Sequence, residues 1–478
     1  MKYLTFRSTL PVLGLLAAAL ASCGGSSGTS PEAVDDPAAS VDKVILFTVD
    51  TLRADQLGVY GNTAYPTPRM DDFAAQSVIF ERAYSPASLT VPALSSMLTG
   101  LTPRRHGVHG QRGALAKNTV SVQELAQRRG IETASFIANI CVLQPEPRTV
   151  FHDGWDTAYC GMDDDVEQYH WDQDIVTKAI EWLEGQEGPF LLWVHLMDPH
   201  AEHRPNPEDW DYEARPVREK FDQYAAFNAW EMERSFPDEA EKQLMWDLYA
   251  AEVKGVDREF GRFMDVVDAR DDKDEIAVVF SADHGEELYE SWSRYDHGLS
   301  LSEGVLWVPM MVRVPGVEPR IEESVVELLQ VAPTVLHLLD LPEPYGLDGK
   351  SLLEEDPSRG FAFSSWANVT WTIRTDEHRY WYRKDNVPFE REAAQWRADA
   401  PWFTEKMVLA EYPAELRTEV EYIDLESAEG AAVSSELRGT MASFIKSLGE
   451  VPKPGVVGDA ETLKELEKLG YTGYAQDE

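Results

Sequence analysis

The stretch that decides the fold is Lys43-Val44-Ile45-Leu46-Phe47-Thr48-Val49-Asp50. A continuous apolar run that ends in an acidic residue is typical of a parallel strand buried on both faces. Similar runs recur along the chain with helical patterns between them; the runs span 132–138, 189–195 and 275–281, and the helical patterns span 120–129, 172–184 and 239–267. Strands that alternate with helices predict an α/β fold, in which helices sandwich a mostly parallel sheet.

The composition changes in the last quarter of the chain. Residues 361–384 are dense in Trp, Tyr, Thr and Arg, which is typical of antiparallel strands, and a helical pattern follows at 434–448. We therefore predict a catalytic domain over 43–354 and a smaller C-terminal α+β subdomain over 355–450. The last residues, 451–478, are polar and acidic and are expected to form a peripheral tail.

The first 23 residues have the pattern of an export signal. Lys2 and Arg7 precede an apolar run that is too short to span a bilayer and ends in small residues. The ending Leu20-Ala21-Ser22-Cys23 resembles a bacterial lipobox, which implies lipidation of Cys23 after cleavage; the alternative is an ordinary signal peptide with an incidental cysteine. Residues 24–42 are rich in Gly, Ser, Pro and Asp, which predicts a flexible tether. We expect an exported cell-envelope lipoprotein that contacts the membrane through this anchor only.

The charge of the chain narrows the range of partners. Among its 478 residues, 84 are acidic and 43 basic, which gives a formal net charge of −41. Such an excess repels nucleic acids and anionic membrane surfaces, so no nucleic-acid partner is expected. Besides Cys23 the chain has Cys141 and Cys160, which either form one disulfide in an oxidising compartment or remain two buried thiols.

Two acidic residues follow predicted strands, at the edge where open parallel sheets bind ligands. Asp50 ends the first strand, and Asp283 opens the segment Asp283-His284-Gly285 after the strand at 275–281. One such Asp alone is usually a turn or cap residue, but two of them with a histidine indicate a divalent-metal site. Thr90, with Pro92 two residues later, has the pattern of a helix N-cap, where the helix dipole stabilises an alkoxide or a bound anion.

The segment around Thr90 resembles the signature of the sulfatase family, within the alkaline-phosphatase-like superfamily. In that signature Cys-x-Pro-Ser-Arg is followed by Leu-Thr-Gly and Pro-x-x-His-Gly, and counting back from Thr99-Gly100 places Thr90 on the nucleophilic cysteine. The resemblance also places Asp50 and Asp283-His284 on the family's metal ligands, and residues 346–353 resemble its Leu-Asp-Gly-x-Ser-Leu segment. It implies a sulfatase-like hydrolase with one divalent ion, Ca²⁺, Mn²⁺ or Zn²⁺, at Asp50, Thr90, Asp283 and His284.

Several positions depart from that signature. Threonine cannot be oxidised to the formylglycine of ordinary sulfatases, and Ala93 and Leu94 replace the Ser and Arg that support this modification. Thr51 replaces the second metal aspartate. We therefore expect the Thr90 oxygen itself to attack phosphorus or sulfur in line and to form an ester that water hydrolyses.

That chemistry slightly favours a phosphodiester or phosphonate over a sulfate ester, carried by a small molecule or a glycan. Two alternatives stay open. One is an envelope phosphotransferase similar to the phosphoethanolamine transferases, and the other is a catalytically inactive binding protein on the same fold.

Three histidines are candidates for proton transfer or for contacts with the substrate anion. His195 and His200 lie at and just after the end of an apolar strand, in Trp193-Val194-His195-Leu196-Met197-Asp198-Pro199-His200, which is similar to a strand-end segment of the family. His297 lies in the region where sulfatases place a substrate-binding Lys or His. A histidine at such a position can protonate the leaving oxygen. The alternative for each is a structural histidine with satisfied hydrogen bonds.

Overall fold

The structure is a computed structural model, and it describes most of the chain from residue 40 onwards. The described residues are 40–111, 113–138, 150–161, 171–201, 203–210, 239–288, 295–298, 300–344, 346–367, 370–383, 408–411, 421–423, 427–452 and 455–456. The predicted signal peptide, most of the tether and most of the acidic tail lie outside them, as do Cys23 and Cys141. Cys160 is disulfide-bonded.

The described helices and strands alternate through most of the chain. The strands are β1 (Lys43–Val49), β2 (Val78–Tyr84), β3 (Gly113–Ala114), β4 (Glu132–Ile137), β5 (Thr157–Cys160), β6 (Phe190–Leu196), β7 (Ile276–Ala282), β8 (Glu287–Leu288), β9 (Tyr295–Asp296), β10 (Trp307–Val308), β11 (Met310–Arg313), β12 (Arg320–Glu327), β13 (Ala362–Trp366), β14 (Thr370–Arg374), β15 (His378–Arg383), β16 (Val408–Glu411), β17 (Glu421–Ile423) and β18 (Gly455–Val456). The helices are α1 (Pro68–Ala74), α2 (Thr90–Thr99), α3 (Pro103–His106), α4 (Val122–Arg128), α5 (Trp171–Glu184), α6 (Glu239–Ala269), α7 (Glu303–Leu306), α8 (Val331–Leu338) and α9 (Ala428–Ser447).

The central sheet contains nine of these strands. Its order is β10-β2-β11-β7-β1-β6-β4-β5, and β12 pairs with β2. β1 is parallel to both of its neighbours, β6 and β7, and the parallel pairing continues through β4 and β5. On the other side β11 is antiparallel to β7 and β2. The prediction of a mostly parallel sheet is therefore confirmed, with antiparallel strands confined to one side.

Helices cover both faces of this sheet. Every residue of β1, β6 and β7 is buried, which explains why these strands read as unbroken apolar runs. On one face Phe47 packs against Phe260 and Phe263 of α6, with ring centroids 5.0 and 5.4 Å apart. Side chains alternate along a strand, so Thr48 faces the other side, where its hydroxyl accepts a hydrogen bond from Trp193 (2.8 Å). Burying one such phenylalanine side chain contributes about 2–3 kcal/mol.

A second, smaller sheet lies in the predicted C-terminal region. Its five strands are antiparallel in the order β13-β14-β15-β16-β17. α9 packs on it and encloses a separate apolar cluster that includes Phe363, Ile373, Tyr380 and Met441. β13, β14 and β15 occur where the sequence pattern predicts antiparallel strands, whereas β16 and β17 lie beyond that stretch, and α9 begins six residues before the predicted helix. Among the described residues, no helix is both long enough and apolar enough to cross a bilayer.

The register of the three central strands positions the candidate site. Thr48 of β1 lies beside His195 of β6 and Ser281 of β7. Two residues after Thr48 and Ser281, Asp50 and Asp283 leave the sheet at the same carboxyl edge. This is the edge at which the sequence pattern predicts a ligand site.

Candidate active site

Asp50, His195 and Asp283 form a compact buried group at the carboxyl edge of the sheet. Each offers one ligand atom, and these atoms all lie within 4.8 Å of one another. All three residues are fully buried. The Thr48 hydroxyl lies 2.8 Å from Nδ1 of His195 and holds its ring, whose Nε2 lies 3.9 Å from the Asp50 carboxylate.

His284 and Thr90 adjoin this group. Nε2 of His284 lies 3.3 Å from Oδ2 of Asp283 and 4.0 Å from Oδ1 of Asp50. The same nitrogen is 3.3 Å from Oγ1 of Thr90. The structure therefore brings together all four residues that the sequence predicts as metal ligands, although they come from three distant parts of the chain. His195, predicted as a proton donor or anion contact, lies among the carboxylates.

The electrostatics of the group fit a divalent cation. Burial, reinforced by the charge of the neighbouring Asp283, raises the pKa of Asp50 well above its ordinary value. Burial also raises the pKa of Asp283 to about 7, although the backbone N–H groups of His284 and Thr51 donate to its carboxylate. Burial lowers the pKa of His195 to about 3 and that of His284 well below its ordinary value, so both imidazoles are neutral. Two crowded carboxylates beside two neutral imidazoles are a donor set suited to a divalent metal ion.

Thr90 opens helix α2, but it is not the N-cap that its sequence pattern predicts. Leu89 is the N-cap, with an extended backbone (φ −139°, ψ 140°), and Thr90 is the first helical residue. Pro92 is then the third helical residue, a position where no intrahelical N–H bond is needed. The Thr90 hydroxyl still lies in the first turn, where the helix dipole favours negative charge.

Gln111 contacts Thr90 and was not identified from the sequence. Its Oε1 accepts a hydrogen bond from the backbone N–H of Val91 (2.9 Å), and its Nε2 donates to Oγ1 of Thr90 (3.4 Å). The side chain is only 2% exposed. The backbone of α2 thus fixes the amide group so that its N–H faces the Thr90 oxygen. An isolated Gln after a Gly carries no signal for this role in the sequence.

The other two predicted histidines lie beside the same group. The His297 ring centroid is 4.5 Å from that of His284 and 5.0 Å from that of His200. Nδ1 of His297 lies 3.1 Å from the carboxylate of Glu286, a fully buried residue that the sequence analysis also missed. His200 and His297 are nearly fully buried, and burial lowers the pKa of His200 well below its ordinary value.

Comparison with known proteins identifies the family. The sequence model of the Sulfatase family matches residues 42–341. The chain belongs to the sulfatase family. It is accordingly an ester hydrolase, and the resemblance inferred from the motifs is confirmed.

Individual relatives are distant. The chain is 24% identical over 370 residues to an ulvan-active sulfatase of Formosa agariphila, covering 72% of this chain and 70% of that one. It is 23% identical over 350 residues to an endo-4-O-sulfatase of Bacteroides thetaiotaomicron, covering 62% of this chain and 65% of that one.

Solved structures share the fold of this sulfatase-family chain. A protein crystallised with its substrate D-glucosamine-2-N,6-O-disulfate has a TM-score of 0.68 at 18% identity, over 87% of this chain and 100% of that one. The phosphonate monoester hydrolase of Agrobacterium radiobacter has a TM-score of 0.67 at 17% identity, with the same coverage. Both sulfate and phosphonate ester hydrolases therefore occur on this fold.

The contact between Gln111 and Thr90 gives a first prediction for this sulfatase-family enzyme. Gln111→Ala removes the donor to the Thr90 oxygen, and because that bond strengthens when the oxygen carries negative charge, kcat should fall about tenfold. Gln123 is the matched control: it is equally buried, and its Nε2 donates to the carbonyls of Val150 and Asp153 at 3.1 Å. Gln123→Ala should lower the melting temperature and leave kcat unchanged. Equal kcat losses in the two variants would contradict the role of Gln111.

Proposed function

We propose that this enzyme hydrolyses a phosphate-type or sulfate ester by attack of the Thr90 hydroxyl beside a bound divalent cation, with a phosphodiester or phosphonate favoured over a sulfate. The observation that carries the proposal is the position of Thr90 Oγ1. It lies 3.3 Å from Nε2 of His284, next to the buried Asp50, His195 and Asp283 group. A hydroxyl at this point can reach both the ester and the groups that activate it.

The residues that would hold the cation are Asp50, Asp283 and His284, with the Thr90 hydroxyl beside them. His195 lies within the same cluster of ligand atoms, which favours a ligand role over proton transfer. When bound, Ca²⁺, Mn²⁺ or Zn²⁺ supplies positive charge that lowers the pKa of the attacking hydroxyl and offsets the charge of the ester oxygens.

The protein's own groups carry out the two displacements. The Thr90 hydroxyl gives up its proton to solvent, and as Oγ1 bonds to phosphorus (or sulfur) the bond to the leaving alcohol oxygen breaks and that oxygen takes a proton from His297. His200, whose pKa is lowered by burial, would contact the substrate anion instead. Gln111 and the first turn of α2 stabilise the charge that develops on Oγ1. Water then attacks the same centre and passes a proton back to His297, the bond to Oγ1 breaks, and Oγ1 takes up a proton to restore the Thr90 hydroxyl.

The identity of residue 90 favours phosphorus over sulfur. A formylglycine hydrate can release its ester by collapse to an aldehyde, whereas the threonine side chain has no second hydroxyl on Cβ and must be freed by a second substitution at the central atom. Enzymes that use such hydroxyl nucleophiles on phosphoryl groups rely on positioning and charge stabilisation, which this buried site offers.

A substrate panel tests the function. Aryl sulfate, phosphate diester, phosphate monoester and phosphonate ester substrates are compared with Ca²⁺, Mn²⁺ and Zn²⁺, with Thr90→Ala as the control. We expect the phosphodiester or the phosphonate to give the highest kcat/KM. A higher kcat/KM for the sulfate ester would contradict the preference for phosphorus. Transfer of the phosphoryl group to an added alcohol would favour the phosphotransferase alternative. If the protein binds a substrate of the panel but hydrolyses none of them, the alternative of an inactive binding protein is favoured.

The contact between Glu286 and His297 gives a second prediction. Glu286→Gln removes the carboxylate that holds Nδ1 of His297, so proton delivery to the leaving oxygen should weaken. We expect kcat to fall about 10- to 100-fold for alkyl esters and less for 4-nitrophenyl esters, because a good leaving group needs no proton. The neighbouring Glu287, which accepts from Ser300 (2.7 Å), provides the control Glu287→Gln. A loss that is equal for all leaving groups would contradict this positioning role.

We also propose that the enzyme is exported and anchored by a lipid on Cys23. The proposal is supported by the lipobox-like ending of the apolar N-terminal run. Wild-type protein should fractionate with membranes, and Cys23→Ser should release it or block its maturation. Wild-type protein recovered wholly in the aqueous fraction would argue for the ordinary signal peptide.

A further inference from the structure

Arg374, the last residue of β14 in the smaller sheet, reaches the segment that follows His297. Its side chain is fully buried. Nε donates to a carboxylate oxygen of Glu303 (2.7 Å), and one terminal nitrogen, Nη2, donates to the carbonyl of Leu301 (2.8 Å). The other, Nη1, donates to the hydroxyl of Thr372 on the same strand (3.2 Å). The guanidinium group therefore joins β14 to residues 71 and 73 positions earlier in the chain.

The cost of burying this charge indicates a role beyond packing. Taking a guanidinium group out of water is unfavourable by several kcal/mol. The carboxylate of Glu303 offsets this cost, and it also accepts a hydrogen bond from Arg379 of β15 (3.3 Å). An apolar side chain would fill the same space without that cost, so packing alone does not explain an arginine at this position. The planar guanidinium adds direction, because its donors fix where the Leu301 carbonyl and the Glu303 carboxylate lie.

Segment 301–306, which these bonds hold, lies against the backbone beside His284. The backbone N–H of Gly285 donates to the carbonyl of Val305 (2.7 Å). The two stretches approach so closely that a Cβ atom on Gly285 would clash with the carbonyl oxygen of Gly304. Because a close-packed interior transmits displacements, a shift of this segment would move Gly285 and the imidazole of the residue before it.

We propose that Arg374 is a positioning residue for the active site. It holds segment 301–306 against Gly285, so that the His284 imidazole keeps its place beside the cation. The smaller sheet is in this way part of the machinery of the site. The proposal rests on the proposed function, because it takes His284 as a ligand of the cation. Since residues that orient a ligand affect how tightly the ion is held, metal affinity should depend on Arg374.

Metal binding measures this role apart from turnover. Ca²⁺, Mn²⁺ and Zn²⁺ are titrated separately into chelated wild-type protein, and the ion that binds most tightly is then titrated into Arg374→Met and Arg374→Lys, well below their melting temperatures. We expect Kd to rise about tenfold in Arg374→Met, which loses all three donors. Arg374→Lys keeps a charged donor for Glu303, so its Kd should rise less, about threefold. If Arg374→Met does not fold, the lysine variant decides.

Arg359 provides the matched control. It is also an arginine that precedes the strands of the smaller sheet, its Nη1 donates to the carbonyl of Asp348 (2.8 Å), and it forms an ion pair with Glu327. Arg359→Met should therefore lower the melting temperature and leave Kd unchanged. An equal rise in Arg359→Met and Arg374→Met would overturn the proposal. An unchanged Kd in Arg374→Met, or in Arg374→Lys if only that variant folds, would overturn it as well.

Hydrogen exchange separates this proposal from the proposed function, since it needs neither metal nor ester. The amide of Gly285 is protected by its bond to the Val305 carbonyl. In Arg374→Met this amide should exchange at least about tenfold faster than in the wild type, and in Arg359→Met at the wild-type rate. Mass spectrometry of peptides that contain Gly285 measures both. Absence of ester hydrolysis by the wild type would contradict the proposed function alone, whereas unchanged Gly285 exchange in the Arg374 variants would contradict the positioning role alone.

Discussion

Replacing Thr90 by alanine is expected to lower kcat at least about a thousandfold, the largest loss of any single substitution in this enzyme. The reason is that in the proposed mechanism Oγ1 is the atom that bonds to the substrate, and the other groups act on it or on the leaving oxygen. The fold should survive, since Thr90 opens a helix whose remaining residues are all buried and unchanged. Turnover of the preferred ester, together with the melting temperature, measures both effects.

Two matched variants test whether the loss of kcat comes from removing the Thr90 hydroxyl. Thr90→Ser keeps a hydroxyl and should retain measurable turnover. Thr99 lies at the other end of the same helix, and its hydroxyl donates to the Ser95 carbonyl (2.6 Å), so Thr99→Ala removes a buried hydroxyl without touching the site. Its kcat should match that of the wild type. If Thr90→Ala keeps full turnover, the nucleophile is another group.

Removing the proposed cation should lower kcat nearly as much as Thr90→Ala does. Chelation, Asp50→Asn and Asp283→Asn should each lower kcat at least about a hundredfold, because the attacking hydroxyl loses the charge that activates it. Metal analysis of the wild-type protein should show one ion per chain, and neither variant should retain it at micromolar metal. Readdition of Ca²⁺, Mn²⁺ and Zn²⁺ in turn to the chelated wild-type enzyme identifies the active ion.

Asp257, a buried carboxylate outside the candidate site, provides the control for removing a buried acidic group. Asp257 accepts a hydrogen bond from the backbone N–H of Met70 (2.8 Å), and burial raises its pKa to about 6. Asp257→Asn should therefore alter stability but keep the metal and kcat. Full activity in thoroughly chelated wild-type enzyme would contradict a role for the cation in catalysis.

The chelated protein should also show a distinctive pH dependence. The pKa of Asp283 is raised to about 7 by burial, so between its unfolded value near 3.8 and about 7 the folded state holds a proton that the unfolded state releases. The stability of the chelated protein should then fall as pH rises through this window. Thermal melts from pH 5 to 8 check this, and Asp283→Asn should reduce the slope, leaving the part that comes from Asp50, whose pKa burial also raises.

Sequence patterns predicted the central strands because burial on both faces leaves an unmistakable apolar run. The runs at 189–195 and 275–281 became β6 and β7, shifted by only a residue. The predicted helix at 239–267 became α6, two residues longer. The shared position of Asp50 and Asp283 was predictable as well, since the carboxyl ends of parallel strands lie at the same edge of the sheet.

Roles that depend on tertiary distance were not predictable in this way. Gln111 contacts Thr90 at 3.4 Å and Glu286 contacts His297 at 3.1 Å, and neither residue type signals such a contact in the sequence. His195 lies among the carboxylates because the register of β6 against β1 sets where its side chain emerges. Thr90 lies one residue inside the helix because Leu89 is the residue that keeps the extended backbone.

In the proposed mechanism Thr90 forms a covalent ester during turnover, and acid quenching followed by peptide mass spectrometry detects that ester. Trypsin releases Thr90 in a peptide of residues 83–104, between Arg82 and Arg105. This peptide should gain the mass of the transferred phosphoryl, phosphonyl or sulfuryl group, with the fragment ions assigning it to Thr90. An unmodified peptide at a time when burst kinetics show an accumulated intermediate, or a modification on another residue, would contradict it.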